Sequence, residues 1–536
     1  MTESPKPTKD ILAEIAERTS KQYRALLDSD PAGAIAYARA LDLPAPLRDF
    51  QRGVLAGCLT DGGADLQDPN LVAEGEALWR EIRIDKADAL SAYNHGNALQ
   101  SLWNLDARHN SLLSGWQRSQ PYLRECRVAF LDAIDKAGST GDLTAQCAVN
   151  VGNSYDEVGR GVEAVEMYDA ALRAVPSFPM ALGNRGTALM HMAPSAKEHS
   201  ASVYVEAYWD LADALANRDG VLRYGGDSAV KSFEERIARW KKPPSKRLSP
   251  PRLLVDPYAR WIQLNNLFLH LSRRCVTDTT EDWDPLYFRS IRSPIQNSLD
   301  GNDLVPEPFK ALNTLKQEFA AARLLTWIAT SDTAANEMIA QAGQHTRYVD
   351  TLDYARYDLF AGLARQAFQA GNNLLDKIAS FIALYLGISN RKIYFRGWWK
   401  ANTKQKDSAI HPAVLTALDP VNLGFWALID LTADFEEGGR YAHLEQLRHA
   451  ATHRLVVQHD EFGRQELKLE GIIVHLGQRD FGKMLVDQLR VARAALIYLV
   501  QGIDRNENRQ PRDESIPTTP LPRWKDWRHH EPKPSE

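Results

Sequence analysis

The stretch LEQLRHAATHRLVVQH, residues 444–459, places Arg448, His449 and His453 in one short run whose other positions are mostly apolar. Guanidinium is a permanent cation, and imidazole exchanges protons near neutral pH. On a helix advancing about 100° per residue, with Arg448 at zero, Leu444, Leu447, Ala451 and Leu455 cluster between about 260° and 340° and form the expected core stripe. Thr452 then falls near 40°, His449 near 100° and His453 near 140°, all on the polar side. One turn apart, His449 and His453 can face the same ligand. Such a set suits cleavage of a phosphodiester that carries its own nucleophile. Imidazole can take the proton from a 2'-hydroxyl and return one to the leaving 5'-oxygen, while guanidinium stabilises charge growing on phosphorus. RNA is that substrate, and no metal or cofactor is needed. The spacing alone is weak evidence, because Arg454–His459, Arg185–His191 and Arg523–His529 repeat it closely. A surface cation beside a hydrogen-bonded histidine is the plain alternative.

A second signal lies in RKIYFRGWWKANTKQK, residues 391–406, which has six Lys or Arg and no acidic residue, with aromatics interleaved. Arg391, Lys392, Arg396 and Lys400 can pair with phosphates, and Trp398 and Trp399 can stack on unpaired bases. The competing expectation is that the aromatics anchor a core and the charges are simply solvated.

These residues must be positioned by a large chain. At 536 residues it exceeds what one core supports, so several domains are expected. Composition is 44% hydrophobic and 25% charged, ordinary for a globular protein. A net charge of -5 excludes a globally basic nucleic-acid binder, leaving only local patches. The four cysteines form no CxxC pair, which argues for reduced thiols rather than a zinc knuckle or a disulfide framework. No apolar run has the length of a membrane span, and MTESPKPTKD is not a charged-then-apolar signal, so a cytoplasmic protein without membrane contact is expected.

Three segments share Asn-x-Gly: YNHGNAL (93–99), VNVGNSY (149–155) and GNRGTAL (183–189). Gly152 and Gly186 stand one tetratricopeptide period of 34 residues apart. Ala148, Val151, Gly152 and Tyr155 suit the first helix of such a repeat, and Ala164, Tyr168 and Ala171 the second. The expected organisation is an N-terminal extension (1–39), tetratricopeptide-like helical repeats (40–225), a basic Pro-rich linker (226–252) and a helical middle region (253–349). A bundle of four long helices (350–505) and a disordered tail (506–536) complete it. The fold class is all-α, a helical solenoid followed by a four-helix bundle. The segment LKLEGIIVHL, between the third and fourth bundle helices, reads as an inserted strand.

RHAATH resembles the Arg-(Asn/Asp/His)-x-x-x-His signature of HEPN domains. Together with the repeats and the bundle, the chain is similar to the LA2681-like HEPN family. The resemblance implies a metal-independent endoribonuclease acting as a homodimer through the HEPN domain, often in bacterial defence or toxin systems. Arg448 and His453 take the signature's invariant positions and His449 its variable polar one. RNA is then the substrate, and the repeats bind a protein or peptide. A non-catalytic scaffold, in which the HEPN bundle only dimerises, is the alternative. A nucleotidyl-transfer role is disfavoured because no Gly-rich phosphate loop accompanies the bundle.

Overall fold

The computed structural model describes residues 8–109, 112–280, 283–291, 307–331, 333, 335–388, 393–403, 405, 408–418, 422–463 and 471–509. Two compact units are present. The first comprises Met1–Glu157, Gly161–Ala188 and Tyr208–Pro243, and the second Val158–Arg160, Leu189–Ala207 and Pro244–Glu536.

Among the described residues of the N-terminal half run eleven α-helices: α1 (Lys9–Ser29), α2 (Pro31–Ala40), α3 (Arg48–Asp65), α4 (Pro69–Lys86), α5 (Ala89–His109), α6 (Leu112–Ala137), α7 (Asp142–Asp156), α8 (Gly161–Ala174), α9 (Pro179–Met192), α10 (Ser200–Ala216) and α11 (Arg218–Ile237). Local chemistry sets their ends. At α4, Asp68 accepts hydrogen bonds from the amides of Asn70 and Leu71 and Pro69 occupies the first turn, while Ala87 closes the helix in the left-handed region. Glycines then let successive helices approach. A Cβ on Gly96 would lie 2.6 Å from the Phe130 ring, and one on Gly152 2.5 Å from the Tyr168 ring. Ala148, Val151, Tyr155, Ala164, Tyr168 and Ala171 are all buried, so each apolar position of the 34-residue pattern faces the packed interior.

Two boundaries differ from the sequence expectation. Residues 9–40 form α1 and α2 and pack on α3 rather than extending away. Helix α11 continues past residue 225 to Ile237, with a break only at Gly226, whose φ of 67° a glycine adopts without strain. Irregular structure begins at about the Pro-rich run 239–252.

The second unit contains α12 (Pro257–Asn265), α13 (Glu307–Thr330), α14 (Asn336–Gly343), α15 (Leu359–Tyr385), α16 (Pro412–Leu418), α17 (Leu423–Ala433), α18 (Ala442–His453) and α19 (Gln478–Arg509). Helix α12 ends where Asn266 turns left-handed (φ 59°). The extended chain beyond offers the Phe268 and His270 carbonyls to Arg493, at 2.6 Å each. Helix α15 buries Ala364, Phe368, Gly371, Leu375, Ile378 and Ile382 on one face. Where α17 meets α19 the backbones touch: a Cβ on Gly424 would lie 2.3 Å from the Gly502 nitrogen, and the Asn422 amide donates to the Gly502 carbonyl at 2.8 Å. Helix α13, assigned by sequence to the middle region, packs against both α15 and α19 and buries Leu312, Leu315 and Phe319. The bundle therefore has a further helix, with α18 lying against α15.

A small sheet joins this helical unit: β1 (Ala355–Arg356), β2 (Leu455–His459) and β3 (Ile473–Gly477), in that order. Strands β1 and β2 are antiparallel, and β2 and β3 parallel with Val457 opposite His475. The inserted strand is thus present in the second half of LKLEGIIVHL; its first four residues lie outside the described residues. The tail after Arg509 lies outside them too. All four cysteines are free, and among the described residues no helix is long and apolar enough to cross a membrane.

Candidate active site on helix α18

Helix α18 is held from below by Leu444, Leu447 and Ala450, all buried. The expected stripe is corrected at its C-terminal end. Ala451 is half-buried and Leu455 is exposed, because the helix stops at His453, Arg454 takes an extended conformation, and Leu455 opens β2 with its amide bonded to the Ile472 carbonyl at 3.0 Å. The β-branched pair Val456–Val457 found a partner strand, and that pairing overrides helical periodicity. Helix α15 supports this end of α18, with Gln369 donating to the Ala451 carbonyl and Arg365 to that of Val456, both at 3.3 Å.

The polar side carries the candidate residues as expected. His449 and His453 are exposed and Arg448 is half-buried. Arg448 and His449 share a neighbour, Glu445, a buried carboxylate that the sequence pattern did not single out. Glu445 accepts from Arg396 at 3.1 Å, lies 3.2 Å from His449 Nε2 and stands 3.6 Å from the Arg448 guanidinium. Asp376 of α15 is 3.7 Å from Arg448 and also accepts the Phe395 amide at 2.9 Å, which ties the 393–403 segment to the same patch. Two sequence signals some fifty residues apart therefore meet at one carboxylate. Glu445 was legible only as a residue one turn before His449; nothing local marked it as buried.

Of the six RNA-binding candidates, Arg391 and Lys392 lie outside the described residues. Arg396 is exposed apart from its bond to Glu445. Trp399 is half-buried, and its Nε1–H donates to Thr432 at 3.1 Å. Trp398 and Lys400 depart from the expectation. Trp398 is fully buried edge-on against Phe425, so it presents no stacking face, and Lys400 is buried with its ammonium over the Trp399 ring. The physical reason is that a large apolar indole anchors the turn that carries Arg396.

The similar spacings elsewhere resolve differently. Arg454 caps the helix while His459 belongs to β2, and Arg185 is buried in the first unit, bonded to Asp169 at 2.7 Å and to Asp210. Arg523 and His529 lie outside the described residues. A cavity of about 440 Å³ lined by Arg356, Gln458, Arg479 and Phe481, among others, involves none of Arg448, His449 or His453. The sequence reading also passed over Asp353, His459 and His475, whose donor atoms all lie within 4.8 Å of one another.

No curated protein matches the chain. Residues 299–506 match the model of the LA2681-like HEPN family, a span that takes in α13 and so begins upstream of residue 350, where the sequence placed the domain. HEPN domains are generally ribonucleases and often dimerise and bind RNA. Less than half of the chain is matched, but α15, the sheet, α18 and nearly all of α19 fall inside it, and residues 299–506 belong to the LA2681-like HEPN family.

Proposed function

We propose that this protein is a metal-independent endoribonuclease in which Arg448, His453 and His449 of two HEPN domains surround one scissile phosphate. The convergence of Arg448, His449 and Arg396 on Glu445, with the exposed His453 one helical turn beyond His449, is the observation that carries this reading. One histidine takes the proton of the 2'-hydroxyl, the oxygen attacks phosphorus, the P–O5' bond breaks, and the leaving oxygen receives a proton from the second imidazole. Arg448 stabilises the charge on the phosphoryl oxygens. Its own contacts to Glu445 and Asp376, at 3.6 and 3.7 Å, are too long for strong hydrogen bonds, so turning toward a phosphate costs it little. Arg396, with Arg391, Lys392 and the half-buried Trp399, guides the strand toward the patch. One chain offers one such set, and a two-fold axis supplies the second. The helical pairs of the first unit act as tetratricopeptide-like repeats that bind a protein or peptide and restrain the nuclease, in keeping with a defence or toxin role in the cytoplasm.

Purified protein should cut mixed RNA in excess EDTA, leaving a 2',3'-cyclic phosphate or 3'-phosphate and a 5'-hydroxyl. Arg448→Ala or His453→Ala should abolish this with the circular dichroism spectrum unchanged. Cleavage of an all-deoxy strand at a comparable rate, or full activity in a preparation shown by sedimentation to be monomeric, would overturn the mechanism. An inactive wild-type dimer would favour the scaffold instead.

A further inference from the structure

The residues around the sheet carry a second site, independent of the cleavage reading. Strand geometry creates it. Side chains two apart on a strand share a face, and the parallel register setting Val457 opposite His475 and His459 opposite Gly477 puts His459 and His475 on the same face as diagonal neighbours. Their rings meet, with His459 Nε2 2.8 Å from His475 Nδ1. His459 is fully buried, and its Nδ1 lies 3.0 Å from the Asp353 carbonyl oxygen. A carbonyl can only accept, so Nδ1 carries the proton and, in the neutral ring, Nε2 is left as a lone pair directed at His475. This is how metal-ligating histidines are oriented by an outer partner. The Asp353 carboxylate completes the group.

The chain is bent to bring Asp353 there. Leu352 and Tyr354, on either side, both adopt left-handed φ, 57° and 60°, a costly region for residues with these side chains. Asp353 Oδ1 accepts from Thr351 at 2.5 Å and from the Ala355 amide at 3.3 Å, which fixes the carboxylate. Gly463 passes close over the cluster: a Cβ there would meet His459 Cβ at 2.7 Å and the Asp353 carbonyl oxygen at 3.1 Å.

We propose that Asp353, His459 and His475 bind one divalent transition-metal ion of the zinc class. Two imidazoles and one carboxylate suit zinc and its neighbours rather than magnesium or calcium, which prefer all-oxygen shells. Zinc–nitrogen bonds of about 2.0–2.1 Å in a tetrahedron place two nitrogens about 3.3 Å apart, so the ring pair opens by roughly half an ångström as the ion replaces the shared proton. Three protein ligands leave a fourth position for water. The bound ion links the loop before β1 to β2 and β3, and β2 starts two residues after α18 ends, so it braces the end of the helix that carries His453.

The test is a zinc titration of the chelator-stripped full-length protein, read by calorimetry and elemental analysis, with cobalt(II) as a spectroscopic probe. One zinc per chain and visible bands of a tetrahedral cobalt site are expected. His475→Ala and Asp353→Asn should each weaken binding more than about tenfold, the loss that even an outer-sphere partner produces. His475 and Asp353 are only half-buried, so these variants are preferred to changes at His459, and circular dichroism checks their fold. The double variant His449→Ala/His453→Ala, which removes the exposed pair on α18, should bind zinc normally. Absence of stoichiometric binding, affinity unchanged in both His475→Ala and Asp353→Asn, or binding lost with His449 and His453 would each overturn the proposal. Stoichiometry and spectra do not depend on RNA cleavage, so the two readings fail separately.

Discussion

Trp398→Ala separates a core role from a nucleic-acid role at the centre of the basic, aromatic segment. The indole is fully buried and packs on Phe425 of α17. A side chain of this size removes up to about 250 Å² from water, which at about 25 cal/mol per Å² sets an upper figure near 6 kcal/mol. Truncations of buried aromatics typically cost about 3–5 kcal/mol, since the surroundings relax only in part. Against a usual total of about 5–15 kcal/mol, that is a large share of stability. Had the ring stacked on a base, its loss would instead cost about 1–3 kcal/mol of RNA affinity and almost nothing in folding. Urea unfolding followed by tryptophan fluorescence and circular dichroism should show the stability loss, with Trp398→Phe recovering part of it. Because Trp398 anchors the turn bearing Arg396, RNA affinity measured by anisotropy should fall only as far as that turn loses its position. An unchanged unfolding midpoint together with a tenfold loss of RNA affinity would refute the core assignment.

Glu445→Gln removes a buried negative charge beside Arg396, Arg448 and His449, so RNA should bind more tightly while stability falls by about 1.5–3 kcal/mol; anisotropy and urea titration measure the two effects. Gly424→Ala places a methyl against the backbone of Gly502, which cannot move aside as a side chain would, and should cost about 1–3 kcal/mol or more in urea unfolding. Burial, reinforced by His199 and Arg493, pushes the His270 imidazole down from 6.5 to about 3. The unfolded chain therefore binds the extra proton between those values, so stability is complete above about pH 6.5 and is lost as the pH falls toward 3. His270→Phe should remove about 2 kcal/mol of the stability difference between about pH 7 and pH 5, read by urea unfolding at both.

Helical class, the glycine-to-aromatic packing of the first unit and the exposed side of α18 were all legible in the residues. Each follows from local spacing: Gly152 and Tyr168 fall where helix pairs must touch, and His449 and His453 fall one turn apart on the side away from Leu444 and Leu447. Helix α12 ends at a left-handed turn at Asn266 that periodicity does not register. What tertiary structure decided were the long-range pairings. Leu455 reads as the next turn of α18 until β3 supplies a partner strand, and α13 reads as a middle-region helix until α15 and α19 cover its apolar face. Trp398 could equally have met a base or Phe425. Glu445 became the meeting point of Arg396 and Arg448 because the chain returned across some fifty residues, and Asp353 came to face His459 and His475 because it returned across more than a hundred to close the sheet. Local periodicity records which side of an element avoids water. It holds no record of which distant element will occupy that side, since that choice is made by the free energy of the whole packed unit.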